Sequence, residues 1–470
     1  MRVPLVVITT IVLTIAIRAA LILQSPELAW DAYNTLLHVQ HIAETGLPLI
    51  ASETAWQGAH LQTTPLFYYI VAFTTIFLHP ETAALWVPTL AISLFPIPIY
   101  LLSTQLTKNK KAIITATLAS AFIPILYQQT LITASPLTLA IPLFFLAYYY
   151  FIRLANTPKH QIHFIIVTVA LTLTHPIALL LIPAMAFTIL LTYVQRTRFS
   201  KTLTEVTLFT AFLTIWANVI IHKTQLQWHG LQALNMSTER LTGIPETAIL
   251  IGVVPLIIGI WAAFSYLTEE KDIAAHALIA LLGATILGML TTLLSPTIAL
   301  MIAAPTLILL TAGAIHKYAQ AKRRARVPVL YTAAYILLTI TFVITSAIPA
   351  IALGAESLQH TPTQTDTEIL AVLPQGETVL WNQEKGYYLQ YHGMRVPYDN
   401  TLTAHPESIT KTVLLNQIYD TRTEIRLIQA LNTEEITVLV LENQTIPIGD
   451  RCFTQLHNQH EVYRLQCVVR

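Results

Sequence analysis

Apolar residues recur in long unbroken runs up to about position 350 and then give way to short alternating stretches. A helix needs about 20 apolar residues to cross a hydrocarbon core of ~30 Å. Such runs fall at roughly 3–23, 82–105, 111–127, 136–154, 160–174, 177–195, 202–221, 246–267, 272–294, 297–316 and 328–350. The pattern predicts about 11 transmembrane helices. The first run is read as a retained anchor, being long and lacking a small-x-small cleavage site before the acidic segment that follows. Residues 65–78 are apolar but only 14 in number, short for a crossing, and are read as an outer interfacial helix. If they crossed, the outer loop 24–64 would lie in the cytoplasm. That loop has no Lys or Arg and four acids, Glu27, Asp31, Glu44 and Glu53, which argues against it.

Beyond 350 the chain shows β-like runs at 378–381, 387–391, 436–441 and 462–469, separated by turn signals such as Pro374-Gln375-Gly376 and Asp399-Asn400. A helix is expected near 406–431. The reading is therefore a transmembrane domain over 1–350 and an extracytoplasmic α+β domain over 351–470. Composition sharpens it: 54% hydrophobic and 11% charged residues set the chain apart from soluble proteins, which carry about 25% charge. Nucleic-acid binding and disorder are excluded. The net charge of +1 divides into +7 over 1–350 (18 Lys+Arg, 11 Asp+Glu) and −6 over 351–470 (8 and 14).

The cations assign a side to each loop, since Lys and Arg concentrate in cytoplasmic ones. Arg2, Lys108/Lys110/Lys111, Arg153/Lys159, Arg196/Arg198/Lys201, Lys271 and the cluster Lys317 to Arg326 all fall on one side if eleven spans start inside. That predicts a multi-pass plasma-membrane protein with a cytoplasmic N-terminus and an exterior C-terminal domain. The two cysteines, Cys452 and Cys467, then lie in an oxidising exterior that permits a disulfide contributing about 3 kcal/mol; two reduced thiols are the alternative. No internal repeat of the transporter kind is visible.

The loop after the first span holds the densest chemistry. Read as a helix, Asp31, Asn34, His38 and His41 form a polar stripe, ended by Gly46 and Pro48. A carboxylate just beyond a span end can meet the head group of a lipid in the same leaflet. Asp31 as a helix cap is the plainer alternative.

The acid after span one, the helix ending in Gly-Leu-Pro, and Thr64-Pro65-Leu66-Phe67-Tyr68-Tyr69 opening a short helix resemble the GT-C superfamily of polytopic glycosyltransferases. That group includes protein mannosyltransferases, aminoarabinose transferases and the oligosaccharyltransferase catalytic subunit. Thr174-His175-Pro176 is similar to a turn of its prokaryotic members, and the tail segment 379–389 to the exterior part of oligosaccharyltransferase-like proteins. The resemblance implies that Asp31 is the catalytic base or acceptor-binding carboxylate. Two features depart from the pattern. Trp381-Asn382-Gln383-Glu384-Lys385-Gly386 stands where the sequon-binding Trp-Trp-Asp-Tyr-Gly would be, which argues against asparagine glycosylation. The second-loop acidic pair should fall near 128–136, where only Gln128, Gln129, Ser135 and Pro136 are offered, so no cofactor is expected and a divalent cation is disfavoured.

The implied partners are a polyprenyl-phosphate sugar donor, membrane lipids and an acceptor outside the cell. With phosphate as leaving group, the chemistry needs acceptor deprotonation and cations for the phosphate. Asp31 is the expected base. Lys223 and Arg240, the outer-loop cations of the membrane part, are candidate phosphate holders, Lys223 being equally readable as a snorkelling span-end residue. Trp228 stands as a sugar-stacking residue or an interfacial anchor. Asn34, His38, His60, Gln128 and His175 are further substrate-binding candidates, and His38 with His41 a weak metal pair. The competing readings are a non-catalytic relative that binds lipid-linked sugars or acts as a partner subunit, and a transporter. The last would be expected to carry ionisable groups near span centres, where only Arg18 comes close.

Overall fold

The computed structural model describes residues 4–24, 27–50, 54–55, 63–195, 201–223, 226–227, 243–269, 272–324, 328–397, 418, 423–441, 448–449, 451–457 and 460–467. Each of the eleven expected runs is helical. α1 (Leu5–Ile22) is followed by α2 (Ala32–Thr45) and α3 (Leu66–Thr74). α4 (Pro80–Ser93) and α5 (Pro96–Leu106) join as one crossing, as do α6 (Lys110–Ala119) and α7 (Pro124–Thr130). α8 (Leu137–Asn156), α9 (Gln161–Thr174), α10 (Leu181–Val194) and α11 (Lys201–Ile221) follow. The bundle ends with α12 (Ile244–Ile251), α13 (Val253–Glu269), α14 (Ile273–Leu290), α15 (Pro296–Arg324), α16 (Pro328–Phe342) and α17 (Ile348–Ser357). Among the described residues nine helices are long and apolar enough to cross a membrane, ten with α12 and α13 counted as one span. The run over 160–174, α9, is apolar but has 14 residues.

Lipid as the solvent explains the side-chain pattern. α11 exposes Leu208, Phe212 and Trp216 and buries Thr210, Thr214 and Asn218, the reverse of a soluble amphipathic helix and the arrangement expected where helices associate through small and polar groups. α12 and α13 meet at 89°. The bend sits at Gly252, whose φ of +94° suits glycine and whose absent Cβ leaves room for the Ser346 side chain. Ser346 belongs to a π-turn, Val343–Ala347, between α16 and α17.

The remaining chain folds as α18 (Gln364–Val372), β1 (Val379–Leu380), α19 (Gly386–Tyr391), α20 (Glu424–Thr433), β2 (Val438–Val440), β3 (Phe453–Gln455) and β4 (Val462–Leu465). The sheet order is β1-β2-β4-β3, with β1 parallel to β2 and the other pairs antiparallel. Cys452 and Cys467 are disulfide-bonded beside the β3–β4 pair. Residues 387–391, expected as a strand, are helical: Tyr387, Tyr388 and Leu389 are all buried, so both sides of the segment are packed and its aromatic run has no solvent face to alternate with. The helix expected near 406–431 is described only as α20, much of the remainder lying outside the described residues. The interfacial helix expected over 65–78 is shorter, ending at Thr74 before a turn.

This second part is anchored to the loop after α1. Tyr388 packs edge-on to Trp30 and Tyr33, with ring centroids 5.2 and 4.9 Å apart. The Val396 N–H donates to the Thr54 carbonyl at 2.9 Å. One hydrophobic core therefore spans the end of α1, α2, α3, α7, α17 and α19.

Candidate active site

Asp31 occupies the N-cap position of α2, yet its carboxylate does not cap the helix. The first amides are met instead by backbone: Ala32, Tyr33 and Asn34 donate to the carbonyls of Ala29, Trp30 and Asp31 at 2.9, 3.3 and 3.2 Å. The side chain is exposed and turns to a cavity of about 350 Å³.

Three other elements complete the cavity. α7 and the bend after it contribute Gln128, Gln129, Ile132 and Thr133; the end of α17 contributes Leu353, Glu356, Ser357 and His360; the turn before α19 contributes Glu384. Local geometry explains the convergence. Ala29 N–H donates to the Ile132 carbonyl at 3.2 Å, and Thr35 Oγ1 to the Ala134 carbonyl at 2.9 Å, pinning the bend after α7 to α2. At Gly354 a Cβ would lie 3.1 Å from Leu21 and 3.3 Å from Tyr127, so the absence of a side chain lets α17 approach α1 and α7. Glu384 N–H is held by Asn382 Oδ1 at 3.2 Å. Next to it Lys385 Nζ pairs with Asp366 at 2.5 Å and lies 5.1 Å from the Trp30 ring and 4.3 Å from that of Trp381. Burial alone would raise the Asp366 carboxyl, but hydrogen bonds from Lys385 and Thr363 outweigh it and hold it below its ordinary value.

Of the residues singled out in the sequence, the structure brings Asp31 and Gln128 to this cavity. The rest of the stripe turns elsewhere. His38 is buried, with its ring stacked on Tyr68 at 4.5 Å between centroids, and burial, with His41 adding, lowers it to about 4. Asn34 Oδ1 is also buried, without a hydrogen-bond partner. The Nδ1 of His175 accepts from the Ile177 N–H at 3.0 Å, so it caps the turn into α10. Burial and then the neighbouring His222 lower His175 to about 3. This turn does approach α3, since Thr64 Oγ1 donates to the Thr174 carbonyl at 2.6 Å. Lys223 is exposed beyond the end of α11 and is not among the lining residues. His60, Trp228 and Arg240 lie outside the described residues. Among the described residues no group of three or more His, Cys, Asp or Glu is placed to hold a metal ion.

Glu356, His360 and Glu384 are the functional candidates that sequence reasoning did not select. A signal existed for the first two: an acid and a histidine four residues apart immediately past the last apolar run, on the same side as Asp31 by span parity. Glu384 lay within the Trp381-to-Gly386 segment, where it was read only as a departure from a family signature.

Residues 62–222 match the family described as dolichyl-phosphate-mannose-protein mannosyltransferase. No curated protein matches the chain by sequence. The fold is similar to the Archaeoglobus fulgidus oligosaccharyltransferase in its apo form, with TM-score 0.71 and 12% identity over 93% of this chain and 69% of that one. It is similar to the same enzyme, AglB, solved with an inhibitory peptide and a dolichol-phosphate, with TM-score 0.67 and 11% identity over 92% and 69%. The arabinofuranosyltransferase AftD from Mycobacteria matches with TM-score 0.52 and 15% identity over 95% of this chain and 35% of that one. The chain is a multi-pass membrane protein with the GT-C glycosyltransferase fold, and its residues 62–222 match the protein-mannosyltransferase family.

Proposed function

We propose that the protein transfers a sugar from a polyprenyl-phosphate carrier to a hydroxyl-bearing acceptor on the exterior face of the plasma membrane. The observation that carries this reading is the meeting of Asp31 with Gln128, Glu356, His360 and Glu384 in one cavity at an end of the bundle. Support for a lipid-linked donor comes from the dolichol-phosphate in the AglB complex and from the mannosyltransferase match over 62–222.

In this mechanism the acceptor oxygen attacks the anomeric carbon, and the bond from that carbon to the phosphate oxygen breaks. The electron pair leaves with the polyprenyl phosphate, and Asp31 takes the acceptor's proton. Gln128 and Gln129 offer amide donors and acceptors suited to sugar hydroxyls. Trp30 is part of the lining. Configuration inverts, because attack comes from the side opposite the leaving group. Lys223 and Arg240 remain the proposed phosphate holders.

Mass spectrometry of surface glycolipids and glycoproteins tests the proposal, comparing a deletion strain with and without the restored gene. A sugar lost on deletion and regained on complementation is expected; identical glycan profiles in both would contradict transfer. The second reading, a non-catalytic relative that retains lipid-linked sugar, draws on the lack of an acidic pair near Gln128 and Gln129. It predicts purification with bound glycolipid and no release of polyprenyl phosphate.

A further inference from the structure

We propose that Arg18 is a positioning residue that sets the Gln128–Gln129 wall of the cavity. Arg18 lies four residues from the end of α1 and is 1% exposed. An ionisable side chain within a membrane helix is costly and calls for partners. None of the partners of this guanidinium is a carboxylate. One terminal nitrogen donates to the Thr130 carbonyl at 3.0 Å; the other donates to the Leu126 carbonyl at 3.2 Å and to Thr130 Oγ1 at 2.9 Å. The guanidinium carbon stands 4.7 Å from the centre of the Tyr127 ring.

All four contacts fall on α7, a helix of seven residues. The carbonyls near its C-terminal end carry the negative pole of the helix; the Leu126 carbonyl already accepts from the Thr130 hydroxyl, and the cation supplies the charge and further hydrogen bonds to it and to the Thr130 carbonyl. Gln128 and Gln129 sit between the two anchored carbonyls, so the rotation and axial position of α7, and with them the two amide side chains, are fixed by α1. The planar fork is essential, because a single ammonium cannot reach both carbonyls and the hydroxyl at once. Asp31 belongs to the chain segment that leaves α1, so one helix places both walls.

The proposal rests on the reading of this cavity as the transfer site. Its test uses the whole 470-residue chain in lipid nanodiscs, with Arg18→Lys, and with Thr130→Val as a milder variant that keeps the charge and removes one contact of Arg18 together with the Thr130 hydroxyl's bond to the Leu126 carbonyl. Hydrogen exchange of the amides over 125–133 should quicken in both, with the rest of the bundle unchanged. Acceptor KM should rise about tenfold in Arg18→Lys and less in Thr130→Val, with kcat within about threefold of wild type. Unchanged exchange over 125–133, or quickened exchange with unchanged KM, would overturn the positioning role. Wild-type protein that transfers no sugar from any donor would instead overturn the transfer reading on which it rests.

Discussion

His38 shows how far a residue's identity falls short of its role. Counted along the helix it shares a polar stripe with Asp31, but α2 also buries Tyr33, Thr35, Leu36 and Val39, and His38 is carried inward with them. Both its ring nitrogens lack hydrogen-bond partners. An unfolded imidazole takes a proton near 6.5, whereas the folded one resists until about 4. The native state therefore loses stability as pH falls through that window, by about 3 kcal/mol, and His38 has no such effect above it. His38→Phe keeps an aromatic ring against Tyr68 and removes the titration. Thermal unfolding across pH should show a shallower loss between 6.5 and 4 in the variant, with the other histidines lowered by burial, His175 and His392 among them, supplying the remainder. An identical slope would contradict the buried neutral imidazole. Asp31 was legible because its position beyond a span end is a property of the sequence. Glu356 and His360 left a fainter signal, past the last apolar run, and Glu384 none, because the nearness of all three to Asp31 depends on Gly354 admitting α17 and on Tyr388 docking α19.

Element boundaries followed hydrophobic length where lipid sets the rule, and were lost where burial on both sides erased the pattern. The apolar runs could be read because a bilayer fixes their length. Residues 387–391 could not, since Tyr387 and Tyr388 pack into the core shared with α2 while Leu389 packs into the core under the sheet. That contact is a point of attachment. Tyr388→Ala removes the edge-on contacts to Trp30 and Tyr33, a third to His392, and a buried ring, a change on the order of 3–5 kcal/mol. Limited proteolysis should then cut within 361–470 at protease levels that leave wild type intact. The disulfide between Cys452 and Cys467 bridges a separation of 15 residues, which corresponds to about 3 kcal/mol. Cys452→Ser should lower the unfolding midpoint of this part in non-reducing conditions, and a reductant should do the same to wild type. A midpoint insensitive to both would show that the sheet's core alone holds the hairpin.

Across the whole molecule, a bundle with its own large core and a sheet domain with two smaller ones are joined by the core that runs through α2. The cavity lies at this junction and draws walls from both parts. Among the described residues Lys223 does not line it, and Arg240 lies outside the described residues. Deleting 361–470 removes Glu384 and exposes Trp30, so membrane insertion should persist while turnover is lost; turnover retained by the truncated chain would remove Glu384 from the site. The central claim is that Asp31 takes the acceptor's proton. It is tested most directly by comparing wild type with Asp31→Asn in nanodiscs supplied with the donor and acceptor that complementation identifies, and measuring release of polyprenyl phosphate. The amide keeps the shape and cannot accept the proton. The account predicts release by wild type and a loss of at least about 10²-fold in kcat for Asp31→Asn, with donor binding retained. Equal release by the two proteins would contradict it.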